Sequence, residues 1–245
     1  MSVAAIVPAY NEEQTIGVVV QALLSCPVID EIIVVSDGST DDTVYVASAY
    51  PVKVVTLPQN VGKGGAMKAG SANTSCNVLL FVDADLVGLQ RSHIEALVEP
   101  VLSGKTAMSI GVFSEGRVST DLAQKIAPSL SGQRAVRKDL FDAVPKLEDS
   151  RFGVEMALTH YAERHGVDIV RVTLPYVSQV TKEEKRGLIP GLQARMEMYK
   201  DIVRSMLPDK KAHDEPNRFE PPGAHLFLEV IFWLPCILSL RTGII

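Results

Sequence analysis

Asn77-Val78-Leu79-Leu80-Phe81-Val82-Asp83-Ala84-Asp85-Leu86 is the stretch on which the reading of this chain turns. Five apolar residues, Val78 to Val82, end abruptly in two carboxylates one residue apart. The run is short and rich in β-branched and aromatic side chains, which predicts a strand buried on both faces rather than a helix. Asp83 and Asp85 then stand where the strand leaves its sheet. If the chain stays extended there, side-chain alternation points both to one side. Adjacent like charges repel, and a divalent cation is the simplest partner that makes the arrangement favourable.

Working outward, the first 90 residues repeat one pattern. Val3 to Val7 predicts a strand ending at Pro8, and Asn11 is placed to cap the helix that carries Ile16, Val19, Val20, Leu23 and Leu24 at helical spacing. Ile29 to Val35 reads as the second strand, Ser36 to Ser39 as a turn, and Thr40 to Ala49 as a short helix capped by Thr40 or Asp41. Val52 to Thr56 is the third strand. A glycine-rich loop around Lys63 (Gly62, Gly64, Gly65) and a helix from Ala66 to Ala72 lead into the opening stretch. Alternating strands and helices imply an α/β fold with a mainly parallel sheet, flanked by helices and joined by right-handed crossovers. Ligands of such sheets bind beyond the carboxyl ends of the strands. Four loops meet there: Pro8 to Glu12, Ser36 to Ser39, Gln59 to Gly65, and Asp83 to Asp85.

Later elements are a helix over Arg91 to Leu102, strands over Ala107 to Val112 and Gln133 to Val136, and a helical turn over Lys138 to Ala143. A helix over Phe152 to His165, a strand over Asp168 to Leu174 and a long amphipathic helix over Leu188 to Met206 follow. Residues 208–245 read as a polar, proline-bearing linker followed by an apolar segment, which sets the main domain at residues 1–207. In that segment, Val230 to Leu240 is shorter than the ~20 apolar residues of a spanning helix. Trp233 and Arg241 suit a membrane surface, so peripheral membrane contact through residues 225–241 stands beside packing on the main domain or on a second subunit as a homodimer.

Composition bounds the rest. The 245 residues are 47% hydrophobic and 22% charged with a net charge of -5, which is ordinary for one large globular domain. The acidic balance argues against a nucleic-acid partner. Three cysteines (Cys26, Cys76, Cys236) have no metal spacing, and their odd count fits a reducing, cytoplasmic compartment. The N-terminus reads as a core strand, not a signal peptide.

The loops suggest chemistry. Paired carboxylates suit Mg²⁺ or Mn²⁺, hard cations that leave positions open for substrate phosphates. Asp37 and Glu12 could accept hydrogen bonds from a base and a ribose, and Lys63 could reach a phosphate or base edge. The Gln59 to Gly65 loop lacks the spacing of a kinase-type phosphate loop.

The sequence resembles the family 2 glycosyltransferases of GT-A (Rossmann-like) fold. Pro8-Ala9-Tyr10-Asn11-Glu12 is similar to the family's opening motif, Ser36-Asp37-Gly38-Ser39-Thr40-Asp41-Asp42-Thr43 to its second, Asn60-Val61-Gly62-Lys63-Gly64-Gly65-Ala66 to its third, and Asp83-Ala84-Asp85 to its metal motif. Ser131 to Arg137 resembles the acceptor-side motif of polyprenyl-phosphate-sugar synthases. Phe152-Gly153-Val154-Glu155 resembles a segment shared with glucosyl-phosphoglycerate synthases. The resemblance implies a metal-dependent hexosyltransferase that moves a sugar from a nucleotide-diphosphate sugar to a phosphorylated acceptor, either a lipid phosphate at the inner face of the membrane or a small phosphorylated acid. It implies that Pro8, Ala9, Tyr10 and Glu12 line the nucleoside, that Asp37 contacts the base and that Lys63 faces the nucleotide. Asp83 would touch ribose and metal, Asp85 would bind the metal, and Arg134 and Arg137 would sit near a phosphate. Relatives place a histidine near the metal where this chain has Gln179. Where the acceptor is a hydroxyl, Asp149 or Glu155 would remove its proton. The charged run Lys182 to Arg186 would serve as a lid. A nucleotidyltransferase and a non-catalytic nucleotide-sugar-binding module are the competing readings.

Overall fold

The computed structural model describes residues 1–113, 131–147 and 153–179, all within a compact unit spanning Met1–Met206. Asp149, Lys182 to Arg186, the Leu188 to Met206 helix and residues 208–245 lie outside the described residues. Among those described, no helix is long and apolar enough to cross a membrane.

The elements in chain order are β1 (Val3–Ala9), α1 (Ile16–Leu24), β2 (Glu31–Ser36), α2 (Thr43–Ser48), β3 (Lys53–Thr56), α3 (Lys63–Ala72), β4 (Val78–Phe81), β5 (Leu86–Val87) and α4 (Arg91–Leu102). There follow β6 (Met108–Phe113), β7 (Arg134–Arg137), α5 (Lys138–Ala143), α6 (Val154–Arg164), β8 (Ile169–Leu174) and β9 (Ser178–Gln179). Seven strands form one sheet in the order β3-β2-β1-β4-β7-β6-β8, and β5 and β9 form a separate two-stranded ribbon. β1 to β4 are mutually parallel where they pair, and β8 is parallel to β6. β7 runs against both of its neighbours, β4 and β6.

The apolar runs are continuous because the sheet is covered on both faces. Val3, Ala5 and Val7 of β1 pack with Ile16, Val19 and Val20 of α1 and Ile94 and Leu97 of α4. Ala4 and Ile6, on the opposite face by alternation, pack with Met67 of α3, Phe141 of α5 and Leu158 of α6. Phe81 meets Phe141 in this second layer with ring centroids 4.8 Å apart.

Three details correct the sequence reading. Asn11 does not cap α1, which begins at Ile16 after Thr15. Asn11 adopts a left-handed backbone (φ 57) and its side-chain oxygen accepts the Thr40 amide at 2.9 Å, tying the first loop to the second. The second helix starts at Thr43, and Asp41 instead accepts the Thr43 amide at 3.0 Å. The third helix starts at Lys63 rather than Ala66, so Lys63 and the two glycines after it form a helix N-terminus.

α4 matches its expected range and is closed by Gln90 and His93, with His93 Nδ1 accepting the Gln90 amide at 3.1 Å. His93 is buried, and burial pushes its imidazole below the ordinary value of 6.5. A depressed folded value favours the neutral ring. The stability it supports is therefore complete above about pH 6.5 and falls as the pH drops through the folded value. Urea unfolding at about pH 7 and pH 5 is expected to give a smaller acid loss for His93→Gln than for the wild type. An equal loss would place the acid sensitivity elsewhere.

Candidate active site

β1, β2 and β4 are parallel, so Ala9, Ser36 and Phe81 end at the same edge of the sheet. The antiparallel β7 begins at that edge, with Arg134 opposite Phe81. This register carries Ser131, Gly132 and Gln133 to the carboxyl end of β4. The chain turns at Ala84–Asp85 before β5, so the acidic pair does not stay extended. The ribbon pairs Leu86 with Gln179 and brings the late segment back to the acidic turn. Gly88, directly after β5, has φ 79, and a Cβ there would run into the backbone oxygen of Tyr176. The close approach therefore depends on glycine.

Asp83 is the hub of the edge. Lys63 Nζ lies 2.5 Å from Asp83 Oδ1. On Oδ2, Gln133 Nε2 donates at 3.1 Å and Gln179 Nε2 at 2.6 Å. The Lys63 ammonium also lies 2.6 Å from Glu155 Oε1 in the first turn of α6. Burial pushes the ammonium down, but Asp83 and Glu155 outweigh it and hold Lys63 above its usual range. It is cationic at any working pH. Gly132 packs directly on this pair, and a Cβ there would lie 2.5 Å from both Asp83 Oδ1 and Lys63 Nζ.

Asp37, expected at the base, is buried at 4% exposure. Its two oxygens accept the Val61 amide at 2.7 Å and the Gly62 amide at 2.9 Å. It thus fixes the loop that presents Lys63. Pro8 and Ala9 close β1, Tyr10 follows at 39% exposure, and the Glu12 amide donates to Thr43 Oγ1 at 2.8 Å. These residues form one rim beside the Asp37 turn, whose amide donates to Ala9 O at 2.8 Å.

The two arginines expected near a phosphate are separated. Arg134 is fully buried; Nη1 donates to the Glu155 carbonyl at 3.1 Å and Nη2 to the Ser131 carbonyl at 2.6 Å. Its Nε has no hydrogen-bond partner among the described residues. Burial lowers its affinity for the proton, against the pull of Glu155 and Asp83. Arg137 pairs with Val78 at the opposite end of β4, about 10 Å along the strand. It is exposed and ion-paired to Asp139. A spacing of three on a strand puts two side chains on opposite faces, a signal present in the sequence. Gln133 entered the sequence reading only as a strand end and inside the Ser131 to Arg137 motif, not as a site residue.

The site fits a hard cation. Asp83, Asp85, Gln179 and Gln133 offer a cation oxygen donors only, and Gln133 Oε1 is buried without a hydrogen-bond partner among the described residues. Oxygen sets of this kind suit Mg²⁺ or Mn²⁺. No group of three or more His, Cys, Asp or Glu side chains able to hold a metal occurs among the described residues.

The chain is similar to several known glycosyltransferases. Glucosyl-3-phosphoglycerate synthase of Mycobacterium tuberculosis is 28% identical over 207 residues, covering 69% of this chain and 63% of its own length. The chain thus spans less than two thirds of that relative. The 4,4'-diaponeurosporenoate glycosyltransferase of Staphylococcus aureus is 37% identical over 98 residues, covering 38% of this chain and 26% of its own. The M. tuberculosis synthase crystallised with Mn²⁺, uridine diphosphate and glucosyl-3-phosphoglycerate superposes with a TM-score of 0.69 at 28% identity, covering 85% of this chain and 81% of that one. Its complex with Mg²⁺ and uridine diphosphate gives 0.64 at 27% identity, with the same coverage. The family model described as glycosyl transferase family 2 matches residues 4–147. On that match, which spans more than half of its residues, the chain belongs to glycosyl transferase family 2.

Proposed function

We propose that the chain transfers a hexose from a uridine-diphosphate sugar to a small phosphorylated acid. The observation that carries this reading is the convergence of Lys63, Gln133 and Gln179 on Asp83 at the edge where the nucleotide-facing loops end. The synthase to which the chain is similar is crystallised with UDP-glucose and phosphoglyceric acid, which supports both the donor and the acceptor class.

Asp85 and Asp83 would hold Mg²⁺ or Mn²⁺, with Gln179 offering its amide oxygen after a half-turn of the side-chain amide. When bound, the cation would neutralise charge on the departing diphosphate. Pro8, Ala9, Tyr10 and Glu12 would line the nucleoside. Asp37 would act there mainly by holding the Val61–Gly62 backbone. Lys63 would place its permanent positive charge at the nucleotide, and the first amides of α3 add a positive helix end beside it. Arg134 would support the acceptor side from beneath, through Ser131. Proton removal from an acceptor hydroxyl would fall to Asp149, because Glu155 is already engaged by Lys63.

The test is a donor screen with Mg²⁺ and Mn²⁺, read by mass analysis of products formed with phosphoglyceric acid and, separately, with a membrane extract. The expected product is a hexosyl phosphoglycerate. Product only on a lipid phosphate would move the acceptor to the membrane and give residues 225–241 a surface to meet. Tight UDP-sugar binding with no product would favour a binding module.

A further inference from the structure

Glu155 is an unusual carboxylate for this edge of the sheet. It comes from α6, not from the four loops at the strand ends, and its side chain is 8% exposed. Its oxygen reaches Lys63 Nζ and not the acidic turn itself. Its backbone carbonyl is gripped twice, by Arg134 Nη1 at 3.1 Å and by Thr159 Oγ1 at 2.8 Å. Arg134 simultaneously holds Ser131 at 2.6 Å. The buried guanidinium thus locks the first turn of α6 to the segment carrying Gly132. A negative side chain in the first turn is also favoured by the helix dipole.

Lys63 lies between this fixed carboxylate and Asp83. Asp83 Oδ2 takes neutral amides, from Gln133 and Gln179, whereas Oδ1 takes the ammonium. A divalent cation on Asp83 and an ammonium on the same carboxylate repel strongly at such separations. The lysine backbone cannot yield, because Asp37 holds the preceding Val61 and Gly62 amides. Its four-carbon stem can, since an ammonium on a flexible stem turns readily between acceptors.

We propose that Glu155 is a positioning residue that keeps the Lys63 ammonium inside the site when a divalent cation takes Asp83, so that lysine and cation serve the same diphosphate together. The proposal rests on the glycosyl-transfer reading above. Without Glu155, Lys63 keeps Asp83 as its ion-pair partner among the described residues and competes with the cation for it. Glu155 acts through Lys63 and does not itself ligate the cation.

The test is Mn²⁺ binding in the presence of UDP, followed by electron paramagnetic resonance, together with a crystal structure of the wild-type Mn²⁺–UDP complex. Glu155→Gln is expected to weaken Mn²⁺ binding about tenfold, and Glu155→Asp, which keeps the charge, to recover most of it. In the complex, Lys63 Nζ is expected within hydrogen-bond reach of Glu155 and beyond that reach of Asp83. Wild-type Mn²⁺ affinity in Glu155→Gln would overturn the proposal, as would Lys63 remaining on Asp83 or Glu155 appearing on the metal. If Glu155→Gln fails to fold, the wild-type complex still decides. Failure of the wild type to bind Mn²⁺ with UDP would overturn the functional reading along with it, whereas the other failures leave that reading standing.

Discussion

Asp83→Asn is expected to lower sugar transfer by about 10²- to 10³-fold while the protein stays folded. The substitution keeps the shape of the side chain and removes its charge. Asp83 accepts from one ammonium and two amides, and a carboxylate alone can accept on both oxygens. In the variant one oxygen becomes an NH₂ group that confronts either Lys63 or the paired glutamine amides. Among the described residues, Lys63 would keep Glu155 as its carboxylate, and a cation would lose one of the two carboxylates proposed to hold it. The damage should be local, since Asp83 lies outside β4 and the layers packed by Val78 to Phe81 are untouched. Steady-state transfer and Mn²⁺ binding should fall together, with thermal unfolding shifted little. Transfer within a few-fold of wild type would remove Asp83 from the centre of the mechanism.

The sheet was legible in the sequence because a strand covered on both faces reads as an unbroken apolar run. Val3 to Val7, Ile32 to Val35 within the expected Ile29 to Val35 strand, and Val78 to Val82 each did so, and their alternation with helices implied the parallel direction. The loops at the carboxyl edge followed from that direction alone. The opposite direction of β7 was not legible, since four residues carry no sign of their orientation. Yet this reversal is what delivers Gly132 and Gln133 to Asp83 and sends Arg137 to the far edge. The β5–β9 ribbon was equally hidden, because two-residue strands have no periodicity to detect. Gln179 reaches Asp83 only through that ribbon. The Lys63–Glu155 contact joins residues 92 positions apart and rests on how α6 packs beneath the sheet edge. Arg134 was expected near a phosphate from the family resemblance, and a guanidinium fork suits phosphate oxygens; in the structure the fork grips two backbone carbonyls.

Gly132→Ala is expected to impair the site more than the fold. A Cβ at this position would stand 2.5 Å from Asp83 Oδ1 and Lys63 Nζ, and closer still to Asp83 Oδ2. Real Cβ atoms do not approach so closely, so one of the three groups must move. The backbone of Gly132 cannot retreat easily, because Arg134 holds the carbonyl of Ser131 and Gln133 pairs with Gly111 through a 2.8 Å backbone bond. Lys63 can swing away at little cost on its flexible stem, but Asp83 is short and bonded on both oxygens. The methyl therefore pushes the carboxylate from Lys63 and from the glutamine amides together. Overpacking of this kind costs about 1–3 kcal/mol of stability, and a misplaced catalytic group can cost about 10²-fold in rate. Thermal unfolding should show the first loss and steady-state transfer the second, with Mn²⁺ binding weakened as well. A variant that binds Mn²⁺ and transfers sugar like the wild type would mean that Asp83 is positioned by its hydrogen bonds and not by contact with the Gly132 backbone.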